Sequence, residues 1–133
     1  MRKPQLATIY TVLAGLMDAS TGLTLMLFPG FTLQIMMIPG ELAEPVYMRW
    51  IGAFVMSVGL FYLVPFCLKG EQRQRELIAM WRLTAVTRCI ICIFVLVQVL
   101  LGHLHTTWLT VAVTDGLLAA VQTIMIRGRW LHA

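Results

Sequence analysis

The sequence predicts an all-α integral membrane protein, an up-down-up-down bundle of four helices. Three observations carry that prediction. The chain of 133 residues is 59% hydrophobic and only 12% charged, with a mean hydropathy of +0.84. A soluble domain is about half apolar and about a quarter charged, so the expected solvent here is the bilayer. Second, the apolar residues fall into four stretches, 6–28, 46–68, 77–102 and 106–126, each near the ~20 residues a helix needs to cross. Third, the links between the later spans are too short for a crossover, which makes successive helices antiparallel neighbours. The length allows one transmembrane domain, 1–133.

Arg2 and Lys3 precede the first span, as they do in a signal peptide. The apolar run behind them is too long for a signal, carries Asp18, and is followed by no clear small-x-small cleavage site. The first helix is therefore expected to be retained. Pro29-Gly30 is expected to end it, and Pro39-Gly40 to close the next segment, both being turn punctuation. Between them, 31–38 is apolar but far too short to span. It is expected as a short interfacial helix or a segment dipping partway in against the bundle. Glu41, Glu44 and Pro45 lead into the second span. Residues 69–76 are expected as a polar loop, with Lys69, Arg73 and Arg75 beside Glu71 and Glu76. His103-Leu104-His105 forms the last turn, and Arg127, Arg129, Trp130 and His132 close the sequence.

Arg2, Lys3, Lys69, Arg73, Arg75, Arg127 and Arg129 all fall on one side of this layout. The other side has Glu41, Glu44, His103 and His105. The asymmetry places both termini in the cytoplasm. It also accounts for the formal charge of +4, so a nucleic-acid partner is not inferred. Tyr47, Trp108 and Trp130 sit near span ends, as interfacial aromatics do.

The remaining cations, Arg49, Arg82 and Arg88, lie within spans. Arg88 is the telling one. A guanidinium stays protonated at any accessible pH, and an unpaired Arg at the centre of a spanning helix costs at least ~2.5–3.5 kcal/mol. Asp18 and Asp115 are the acids at comparable depth. At 1.5 Å per residue, Asp18 lies roughly 15–20 Å from either end of its span, Arg88 about 16 Å from the cytoplasmic end of its own, and Asp115 about 13 Å from the outer end. Arg49, about one turn inside the outer boundary, has a stem long enough to reach inward to Asp18 or snorkel outward. Arg82 is expected to snorkel to the cytoplasm.

Helical spacing supports convergence. Thr11, Gly15, Asp18, Ala19 and Gly22 share a face, as do Arg49, Gly52, Met56 and Gly59. Thr84, Ala85, Arg88 and Cys92 form a third face, and Ala112, Asp115, Gly116, Ala119 and Thr123 a fourth. Small residues mark close helix approach in membranes, so the charges beside them are expected to point inward. Two aspartates against Arg88 and Arg49 would balance. Such a network either fixes helix register or forms a polar pocket, open to the outer side through Arg49, for the polar head of a lipophilic molecule or for protons. Binding fits better than proton transfer, since a carboxylate held by Arg makes a poor relay.

Weaker signals have plainer explanations. Cys89-x-x-Cys92 lies deep in a span, not at the helix N-terminus where a redox pair has its thiolate stabilised, and reads as core. His103 and His105 lack an obvious third metal ligand; Glu41 and Glu44 have no spacing to recommend them. The methionines are scattered and suit adaptable packing.

Arg49-x-x-Gly52-Ala53, with Gly59 seven residues after Gly52, the Pro-Gly after the first span and the single Arg88 of the third together resemble the small DoxX-like four-helix membrane proteins. The resemblance implies a four-helix fold and a quinone- or redox-associated role, often as a companion subunit. Asp18 and Asp115 are not part of the resemblance. The expected function is binding, without catalysis, of a quinone or lipid, with Arg88, Asp18, Asp115 and Arg49 as ligand-binding residues, or service as an accessory subunit of a membrane redox complex. A small oligomeric proton-coupled transporter is the second class. A thiol–quinone enzyme using Cys89 and Cys92 is the third.

Overall fold

The computed structural model describes residues 2–40 and 44–131; Glu41 and His132, named above, lie outside the described residues. The helices are α1 (Lys3–Leu27), α2 (Pro29–Ile35), α3 (Pro45–Leu63), α4 (Gly70–Leu100) and α5 (Leu109–Arg127), with 3-10 turns at Val64–Cys67 and Thr106–Trp108. Four of them, α1, α3, α4 and α5, are long and apolar enough to cross a membrane and match the expected spans in order. The chain is a multi-pass all-α bundle. Each spanning helix also turns large apolar groups outward: Leu13 and Phe54 are 63% exposed, Ile90 and Leu117 62%. In water that surface would be a liability. Against lipid tails it is what the solvent favours.

Two boundaries differ from the sequence expectation, each for a local reason. α1 ends at Leu27, just ahead of Pro29-Gly30 as expected, but Pro29 also opens α2, at a first-turn position where its missing N–H is harmless. The expected segment 31–38 is thus a short helix plus a turn. Its Leu33 and Ile38 pack on Leu25, with Met48 and Trp108 closing over them. Residues 69–76 are not a loop. Lys69 is extended and caps a helix that starts at Gly70, and the run Glu71-Gln72-Arg73-Gln74-Arg75-Glu76 contains no breaker. With 31 residues, α4 is about 46 Å long, well beyond the ~30 Å hydrocarbon core. Its first turns therefore project past the core at the basic end. There Arg73 folds back and donates from Nε to the Leu68 carbonyl at 2.9 Å and from Nη2 to that of Phe66 at 3.2 Å, capping the end of the preceding 3-10 turn.

The bundle is built from two tight pairs, α1 with α3 and α4 with α5. In the first, Gly15 and Gly22 meet Gly52 and Gly59 so closely that backbones touch. A β-carbon on Gly52 would stand 2.7 Å from the Gly22 carbonyl and 2.8 Å from the Leu25 β-carbon. In the second pair, Gly116 lies against the Cys92 sulfur. The two pairs then face each other through large side chains, among them Tyr62 and Trp81, both fully buried. The layer between them is where the polar chemistry sits.

Candidate functional site

Arg88 is 2% exposed. Its Nη1 donates to Asp115 Oδ1 of α5 and its Nη2 to Asp18 Oδ2 of α1. Its Nε donates to the Tyr62 hydroxyl of α3 at 3.2 Å, and the guanidinium carbon lies 5.7 Å from the Tyr62 ring centre. One residue from each of the other spanning helices thus meets the guanidinium. The convergence of Arg88, Asp18 and Asp115 expected from depth and face is present.

Asp18 reaches this point because the small-residue face of α1 divides. Gly15, Ala19 and Gly22 pack into α3, while Asp18, one step round the helix, turns toward α4 and α5. The side chains of Asp18 and Asp115 are 10% and 14% exposed against 3% for Arg88. The aspartate side chains are therefore the less buried part of the cluster.

Arg49 is not part of it. It donates from Nη1 to the Met26 carbonyl at 2.8 Å, and its side chain is exposed. Met26 is in the last turn of α1, whose final carbonyls lack helical partners. Arg49 therefore caps α1 and does not reach Asp18. The charge balance changes with it. With both carboxylates ionised, the site holds one negative charge more than Arg88 cancels.

From Arg88 the polar contacts continue toward the basic end, not toward Arg49. The Tyr62 hydroxyl donates to Gln122 Oε1 at 2.8 Å, and the Tyr10 hydroxyl approaches the same oxygen at 3.1 Å and the Leu118 carbonyl at 3.2 Å. Gln122 Nε2 donates to Thr84 Oγ1 at 2.6 Å and to the Trp81 carbonyl. Trp81 Nε1 donates to Thr11 Oγ1 at 3.1 Å, and Tyr10 packs edge-on against Trp81 with ring centres 5.4 Å apart. From Arg88 to Trp81 the seam runs about 10 Å along α4. Among the described residues no buried side-chain nitrogen or oxygen lacks a partner, which is what a hydrocarbon surround demands.

Sequence reasoning did not single out Tyr10, Tyr62, Trp81 or Gln122. Gln122 carries no formal charge and so gave no signal of depth. Its spacing of seven from Asp115 did put it near the same face. It is the joint of the seam, and Gln122→Leu is expected to cost about 2 kcal/mol, since several buried groups lose a partner at once. Thermal unfolding in mild detergent measures this. An unchanged midpoint would mean the tyrosines and Thr84 re-pair without it.

The other candidates stand apart. Cys89 is exposed on the outer surface of α4, contrary to a core reading, and Cys92 is half-buried beside Gly116. The spacing of three keeps the two cysteines on one side of α4, where both border the same groove between α4 and α5. His103 pairs with Gln98 Oε1 at 2.9 Å and His105 with Thr107 Oγ1 at 3.1 Å. Among the described residues no three His, Cys, Asp or Glu side chains gather as a metal site. No family model, curated protein or solved structure matches this chain.

Proposed function

We propose that this protein binds a lipophilic molecule at mid-bilayer and does not itself perform chemistry on it. The carrying observation is that two carboxylates meet one guanidinium, with the aspartate side chains the less buried partners. Arg88 is already engaged by both acids, so it positions them. The ligand's head meets Asp18 and Asp115. A head that donates an O–H or N–H is favoured, such as a quinol or a hydroxylated lipid. A quinone-type ligand suits an accessory subunit of a membrane redox complex, and kinship with DoxX-like proteins belongs to the same proposal. Both termini are cytoplasmic in this reading, supported by the gathering of Arg2, Lys3, Lys69, Arg73, Arg75, Arg127 and Arg129 at one end of the antiparallel bundle.

The same surplus negative charge favours a second reading, an oligomeric proton-coupled transporter with the aspartates as coupling site. One pair of measurements separates them. Mass spectrometry of the full chain extracted in mild detergent is expected to find a lipophile that Asp115→Asn loses. A transporter would instead show proton-dependent flux in liposomes, abolished by the same variant. Neither retention nor flux would overturn both.

A further inference from the structure

A second site lies outside the Arg88 network, at the basic end of the α4–α5 pair. A cavity of about 570 Å³ is lined there by Arg82 of α4, Arg127 at the end of α5, and Arg129 and Trp130 just beyond it. Among the described residues lining it there is no acid. Along the same two helices runs a groove of about 430 Å³, floored by Gly116, Ala119, Ala120 and Ile93, and Arg127 borders both. None of the Arg88 network lines either space.

The cavity is held in shape by the way α5 ends. The Trp130 N–H donates to the Met125 carbonyl at 3.1 Å and the Arg129 N–H to that of Ile126 at 3.1 Å. This is the paired-bond helix stop that ordinarily places glycine in the left-handed position. Here that position, at φ 53°, is occupied by Arg129, although glycine stands next to it at Gly128. At Gly128 a β-carbon would meet the Trp130 indole nitrogen at 2.6 Å, so the indole packs directly over the glycine. The Gln74 side-chain amide, from the projecting part of α4, ties the tail down by donating to the Leu131 carbonyl. The chain thus keeps an arginine in a strained conformation at the mouth of an apolar groove.

We propose that this is a binding site for one anionic phospholipid, with its phosphate among Arg82, Arg127 and Arg129 and an acyl chain along the groove of α4 and α5. Charge complementarity and the continuity of cation cluster and apolar groove identify the occupant. Basic pockets between spanning helices take anionic lipid heads in this way.

The test uses the full chain in mild detergent and native mass spectrometry. Dioleoyl phosphatidylglycerol and dioleoyl phosphatidylcholine are added in parallel, with inorganic phosphate as a third arm. One phosphatidylglycerol is expected to be retained at least about ten-fold better than phosphatidylcholine. Arg127→Gln with Arg129→Gly should erase most of that preference. Arg129→Gly also relieves backbone strain, so a folding defect does not explain the loss. Ala120→Phe, at an exposed position that fills the groove, should weaken retention with every arginine intact. Lys69→Gln with Arg75→Gln, at the same end but outside the cavity, should change nothing. The proposal is overturned by equal retention of the two lipids, by inorganic phosphate competing as well as the lipid, or by an equal loss in the Lys69/Arg75 variant.

Discussion

Replacing Arg88 with methionine is expected to lower stability by about 3–5 kcal/mol, the usual result of removing one partner from a buried ion pair. Methionine fills similar space, so the loss is electrostatic. Asp18 and Asp115 would face each other with no cation between them, and Tyr62 would lose the donor from Arg88 Nε. Adding Asp18→Asn and Asp115→Asn to Arg88→Met is expected to recover most of the loss, because no uncompensated charge then remains. Arg49→Met should cost far less, since Arg49 gives up one exposed bond to the Met26 carbonyl. Equilibrium unfolding in mixed detergent reads all of these on one scale. If Arg88→Met proved as mild as Arg49→Met, the three-residue cluster would not be what joins α1 and α5 to α4.

Gly59→Val is expected to be nearly as damaging, at about 3 kcal/mol or more, beyond the usual cost of overfilling a packed interior. A β-carbon at Gly59 would land on the α1 backbone at Ala19 and stand 2.7 Å from the Gly15 carbonyl. Backbone cannot swing aside as a side chain does, so α3 must move away from α1. The shift would carry Tyr62 with it and lengthen its bonds to Arg88 and Gln122. Gly30→Val, with nothing within 4 Å of its β-carbon, is the matched control and should be nearly neutral. Hydrogen exchange should show faster opening of α1 and α3 in Gly59→Val than in the control. Equal protection in both would mean the close approach does not hold the pair.

Much of this was legible in the residues. Four apolar stretches gave four spanning helices. The energetic penalty on a lone guanidinium led from Arg88 to Asp18 and Asp115, because those acids share its depth. Two kinds of statement failed. Turn chemistry misled at 69–76, because a polar run is no bar to helix outside the bilayer core, and it did not show that the proline ending α1 also starts α2. The partner of Arg49 was also misjudged, since a span-end arginine has competing acceptors in unpaired helix carbonyls, and these leave no mark in sequence.

By itself the sequence determined the solvent, the number of crossings and which charged groups share a depth. Those follow from composition and from a fixed rise per residue. Only the tertiary structure decided that the helices pair as α1 with α3 and α4 with α5, and that Tyr62 and Gln122 join the cluster while Arg49 does not. It also showed that Arg82, Arg127 and Arg129 ring one cavity. These depend on how each helix is rotated about its axis, and that rotation is set by backbone contacts at glycines on other helices, far away in the chain.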